Sequence, residues 1–240
     1  MKNILVATLV VLATVFVPAS TINGQISLTD VEGQWIGGIG GQNVNGLGTN
    51  QLSWGITNGQ QSGYLFAPTS VMFPVDITLG QEFDLATFTH NNFVIGLGTS
   101  IKQATLSTNL NFLIDGEQVD VLREYTFLHN ETTNTSPGCC DDIVTAVNNT
   151  PFTETFVVGD FEYTFDIKGF RVNGQLMSQF VTEENKANES ILVAEINRVP
   201  IPEPTTYLLL GSMLALVLLV RRKNKSYQRI KIDKGGRDDC

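Results

Sequence analysis

Apolar residues in the middle of this chain fall at every second position. Leu52, Trp54 and Ile56 alternate with their neighbours, and Val71, Phe73, Val75, Ile77 and Leu79 repeat the pattern. Leu106, Thr108, Leu110, Phe112 and Ile114 follow it again and run into the turn pair Asp115-Gly116. Phe161, Tyr163, Phe165 and Ile167 form a fourth run, between Gly159-Asp160 and Lys168-Gly169. A period of two turns one face of a strand to a core and the other to water, while Gly, Asn and Asp supply the turns. No stretch here keeps a helical period for three turns. The body therefore reads as all-β, a single β-sandwich of jelly-roll type. Gly33 to Gly48 reads as a flexible glycine-rich loop with one short strand around Trp35. It is no phosphate cradle, because no lysine stands between Lys2 and Lys102. A last strand, Ile191 to Ile196, is expected after a turn holding Glu183 and Glu184.

Both ends of the chain break this pattern. Met1-Lys2-Asn3, an apolar run from Ile4 to Val17 and the small residues after Pro18 make a secretory signal peptide, assigned to residues 1–24. At the other end Val199-Pro200-Ile201-Pro202-Glu203-Pro204 leads into an uncharged stretch and then Arg221, Arg222, Lys223 and Lys225. The prolines hold the chain extended. Residues 205–220 are expected to enter a bilayer as a short transmembrane segment, below the roughly 20 residues of a free span. The basic cluster would hold the far side in the cytoplasm. Residues 25–198 are left as one domain, 199–225 as a targeting segment and 226–240 as a charged cytoplasmic tail.

Charge agrees with that topology. From Gln25 to Arg198 there are twenty Asp and Glu against six Lys and Arg, whereas residues 221–240 carry eight basic and three acidic groups. An acidic body without a basic footprint excludes nucleic acid as a partner. Cys139 and Cys140 are adjacent, and no other cysteine lies in the exported body. No disulfide framework is expected.

The ordered tail resembles the PEP-CTERM sorting signal of bacterial exported proteins, with Pro202, Glu203 and Pro204 on its namesake positions. The resemblance implies recognition by an exosortase-type processing enzyme and delivery to the cell surface or the extracellular polymer. Such tails usually stop soon after the basic residues; this one continues to Cys240. A second resemblance covers most of Gln51 to Asn197. Ser53-Trp54-Gly55, the segment from Thr87 to Ile95, Phe170 and Phe180 to Asn185 look like the choice-of-anchor K domain. Thr89, His90, Asn92 and Ile95 match its central motif, and Val94 stands where proline is expected. That family implies export and surface anchoring but no activity.

Candidate chemistry is sparse. His90 admits two readings, a metal or sugar contact at a strand end, or a structural imidazole tying backbone groups of the following turn. The structural reading is preferred, since His129, the second histidine, is far off in sequence and a three-histidine metal set is impossible. Asp115, Glu117 and Asp120 near one turn, with Asp141 and Asp142 near another, are candidates for calcium or, as a remote reading, for glycan hydrolysis. Trp35, Trp54, Tyr64, Tyr125 and Tyr163 are candidates for an aromatic sugar platform, with Trp35 the freest. The Asn-x-Ser/Thr matches are chance in a bacterial chain. No cofactor is expected. The expected role is that of an exported, non-enzymatic structural or adhesive surface protein, with a carbohydrate-binding module as the alternative and extracellular polysaccharide as its partner.

Overall fold

Inward-facing side chains two residues apart draw most of the chain into two curled sheets. The computed structural model describes residues 25–68, 73–133, 141–147, 154–202 and 211–222. The expected signal peptide, Cys139-Cys140 and residues 226–240 lie outside the described residues. The strands are β1 (Ile26–Gly40), β2 (Gln51–Trp54), β3 (Ser62–Pro68), β4 (Val75–Ile77), β5 (Glu82–Asn92), β6 (Ile101–Ile114) and β7 (Glu117–Asn130). They continue as β8 (Asp142–Val147), β9 (Glu154–Val158), β10 (Phe161–Val172), β11 (Gln175–Met177), β12 (Gln179–Thr182) and β13 (Lys186–Pro200). The first sheet runs β12-β8-β7-β6-β1-β4 and the second β11-β10-β13-β5-β3-β2, with β9 beside the first half of β10.

One apolar cluster takes side chains from both sheets. Phe88 of β5 is its hub. Its ring centroid lies 5.0 Å from Tyr64, 5.0 Å from Phe127 and 5.3 Å from Phe170. Phe127 belongs to the first sheet and Phe88 to the second, so this stacked pair joins the two. Trp35 of β1 crosses the same gap to Tyr64 at 5.3 Å.

Strict alternation fails at several places, and at two of them a bulge accounts for it. Leu28 and Val31 are both buried although three residues apart, and the β1/β6 register shifts between Leu28 and Asp30. Ile167 and Phe170 are likewise out of phase, with a shift between Ile167 and Gly169. An extra residue in one strand restores the inward phase without ending the ladder.

Two expectations need correction. Gly33 to Gly40 is not loop: it is the second half of β1, paired with β6 as far as Ile101. Glycine lowers strand propensity, but a long partner strand overrides it. Gly33 stands opposite the Phe66 ring, which occupies the space a side chain would need. The last strand is longer than Ile191 to Ile196, because β5 and β10 flank it on either side out to Lys186 and Pro200. Of the expected transmembrane segment 205–220, residues 211–220 lie in an exposed helix over residues 211–222, and 205–210 lie outside the described residues. No helix among the described residues is long and apolar enough to cross a membrane.

Two substitutions test this packing in denaturant unfolding. Phe88→Ala removes the hub ring and is expected to cost about 3–5 kcal/mol. Gly33→Val forces a side chain into the Phe66 ring and is expected to cost about 1–3 kcal/mol. Unfolding midpoints unchanged from the parent protein would refute the cross-sheet contacts.

Candidate functional site

At one end of the core, five neighbouring strands each change from apolar to polar in a single inward step. Along β5 the step is Phe88 to His90; along β7, Phe127 to His129; along β12, Phe180 to Thr182. In β8 and β3 the partners are Val144 with Asp142 and Phe66 with Tyr64. All ten side chains are buried. Pairing aligns the polar five: His90 lies opposite Tyr64, and Thr182 opposite Asp142. His129 pairs with Val144, two residues from Asp142 on β8.

The polar layer is densely bonded. The Tyr64 hydroxyl lies 2.7 Å from His129 Nδ1. His129 Nε2 faces two carboxylates, Glu131 Oε2 at 3.3 Å and Asp142 Oδ2 at 3.7 Å. Asp142 Oδ1 accepts from the Thr132 amide at 2.9 Å. Thr182 Oγ1 sits 2.8 Å from His90 Nδ1 and donates to the Asp142 carbonyl at 3.3 Å. Asn92 Nδ2 donates to the Thr182 carbonyl at 3.1 Å. Trp54 stacks over His90 at 6.0 Å and meets the His129 ring edge-on at 5.3 Å.

Burial dominates the electrostatics. It pushes the Asp142 carboxyl up to about 7; Thr132's amide opposes that rise, and the Glu131 and Glu184 charges add to it. It holds the His90 imidazole well below the usual histidine range, helped by His129, so His90 is neutral at neutral pH. Desolvation also raises the Tyr64 phenol, with Asp142 and Glu131 assisting.

Beside this layer opens a depression of about 830 Å³, with His129, Glu131 and Thr132 in its wall. Val94, Ile95, Leu128 and Ile143 give it an apolar side, and Lys102, Asn130 and Gln179 a polar one.

The motif residues are placed unevenly. His90 and Asn92 enter the polar layer, and Thr89 is buried in the same strand. Ile95 packs against the open face of Gly55, whose φ of +103° and missing side chain admit it. The backbone-tying reading of His90 is corrected: Nδ1 reaches a side chain on β12, and Nε2 meets no hydrogen-bond partner. The expected carboxylate group is split. Asp115, Glu117 and Asp120 lie at the β6–β7 turn, at the opposite end of β7 from His129. Asp141 is exposed, whereas Asp142 is buried among the histidines. The aromatic platform is also corrected: Trp35, Trp54, Tyr64 and Tyr163 are each 0% exposed, leaving no pair of free rings among them. Pro202 follows β13 at the surface, and Arg221 and Arg222 are exposed on the helix; Glu203, Pro204, Lys223 and Lys225 lie outside the described residues.

His129 and Asp142 escaped the sequence reading as partners of His90 because the ladder, not the sequence, brings them together. A signal existed: Phe88-Thr-His90, Phe127-Leu-His129 and Phe180-Val-Thr182 share one spacing, an aromatic with a polar residue two positions later. No family model matches the chain, and no curated protein aligns with it significantly.

Thr182 is the most connected hydroxyl of the layer. Thr182→Val strips a partner from both His90 Nδ1 and the Asp142 carbonyl, leaving two buried polar groups unmatched. Urea unfolding is expected to show a loss of about 1–3 kcal/mol; a change near zero would mean the two bonds do not hold the layer together.

Proposed function

We propose that this chain is an exported bacterial surface protein with a non-enzymatic, structural or adhesive role, sorted by an exosortase-type enzyme. One observation carries the reading. The Pro202-Glu203-Pro204 tripeptide, the apolar stretch and the basic cluster follow directly on the last strand of an acidic β domain. β13 ends at Pro200, so the targeting segment leaves the fold without a linker. On this reading residues 1–24 direct export, residues 25–198 fold as a single β-sandwich of the choice-of-anchor K type, and residues 199–225 are the sorting signal. The C-terminal segment keeps the chain at the membrane until it is processed. The paired ladders give a rigid body, and fourteen excess negative charges keep its surface hydrated and apart from other polyanions.

A carbohydrate-binding role is the second reading, favoured by the depression beside the polar layer. Asn130, Gln179 and Lys102 offer donors there, against an apolar wall. With Trp35, Trp54, Tyr64 and Tyr163 buried, sugar recognition would rest on these polar groups rather than on stacked rings.

Mass spectrometry of the mature protein from fractionated native cells tests the first reading. The expected product ends near Pro202-Glu203-Pro204 in the surface or secreted fraction; an intact chain ending at Cys240 in the membrane fraction refutes sorting. A polysaccharide array tests the second, with Gln179→Ala and Lys102→Ala expected to weaken any signal. Retention of every glycan by that double variant would remove the depression from the account.

A further inference from the structure

We infer that His90, His129 and Asp142 form a binding site for a divalent transition-metal ion of the zinc class, which staples the two sheets together. Among the described residues these three offer one ligand atom each, all within 4.8 Å of one another.

The hydrogen bonds fix which atoms are available. Thr182 spends its hydroxyl proton on the Asp142 carbonyl, so its oxygen accepts from His90 Nδ1–H. His90 Nε2 therefore carries a lone pair and no proton. That nitrogen is fully buried and meets no hydrogen-bond donor. Asp142 Oδ1 is occupied by the Thr132 amide, whereas Oδ2 has no hydrogen-bond partner and stands 3.7 Å from His129 Nε2. Unmatched acceptors converging in a dry core are costly unless something positive sits among them. A metal ion answers this, because it takes the lone pairs of both imidazoles and the carboxylate oxygen together.

Geometry and chemistry select the ion. Donors on a tetrahedral centre with bonds of 2.0–2.2 Å are roughly 3.4 Å apart. The His129–Asp142 separation is near that value. Two imidazoles with a carboxylate suit zinc, cobalt or nickel; calcium wants six to eight oxygens, which this cluster lacks. Each imidazole is held from behind, His90 by Thr182 and His129 by Tyr64, the outer-shell support that orients metal-bound histidines. With metal on His129 Nε2, the proton moves to Nδ1 and is donated to the Tyr64 oxygen. The depression whose wall holds His129 and Glu131 supplies the way in. His90 comes from the second sheet, and His129 and Asp142 from the first. The ion would thus tie β5 to β7 and β8.

The full chain, stripped with chelator and titrated with Zn²⁺ or Co²⁺, provides the test. One equivalent is expected to bind, with a rise in melting temperature and no competition from Ca²⁺. Co²⁺ should quench Trp54, which contacts both histidines. His129→Gln and Asp142→Asn should abolish equimolar binding, and Tyr64→Phe should weaken it about 10–100-fold. Asp115→Asn with Glu117→Gln should leave it unchanged. If the ligand variants do not fold, the parent protein decides alone. Absence of equimolar uptake by the folded parent protein, binding that survives loss of both ligands, or an unquenched Trp54 would overturn the site.

Discussion

The contact between Phe88 and Phe127 is the constraint on which the rest of this molecule depends. Each ring lies on the inward face of its own sheet, and their stacking sets the sheets' separation and alignment. Once that pair is fixed, the period of the strand dictates what comes next. The residue two places further along β5 must face the residue two places further along β7. Those residues are His90 and His129, whose ring centroids stand 5.1 Å apart. The polar layer is therefore a register consequence of the aromatic hub rather than a separate construction.

This coupling explains why so polar a group of side chains is tolerated at full burial. Desolvation weighs against charge on His90 and Asp142, and the hydrogen bonds of His90 with Thr182 and of Asp142 with the Thr132 amide recover part of the cost, while Tyr64 pairs with His129. The layer sits at the end of the core, beside a depression, so apolar packing continues undisturbed through Phe112, Phe165 and the opposite end. Fold and candidate site thus share strands but divide them by depth.

How much of this was legible in the sequence follows from the distances involved. Alternation along Leu106 to Ile114 and Phe161 to Ile167 is a local property, and β6 and β10 could be read directly from it. The turn at Asp115-Gly116 was legible for the same reason, whereas its partner strand β7 was not. β1 was half missed because Gly37, Gly38 and Gly40 look like loop residues, and their strand conformation is imposed by β6, some seventy residues away. Trp35 looked free between glycines, although its indole nitrogen donates to the Asn50 carbonyl and its ring fills the core. His90 was singled out, but its partners could not be, since the pairing of β5, β7, β8 and β12 carries no short-range mark. Asp142 was read with its neighbour Asp141, although Asp142 opens β8 facing inward and Asp141 stands exposed just before the strand.

The position of β13 has a mechanical meaning. It is the final strand, yet it is central, with β5 along one edge and β10 along the other. A tether attached beyond Pro200 pulls along the axis of this strand. Such a load shears both ladders at once and must break many hydrogen bonds together, whereas a pull on an edge strand would peel them singly. A chain held by its C-terminus would therefore carry tension through its strongest element, and the domain could transmit force to a surface without first unravelling.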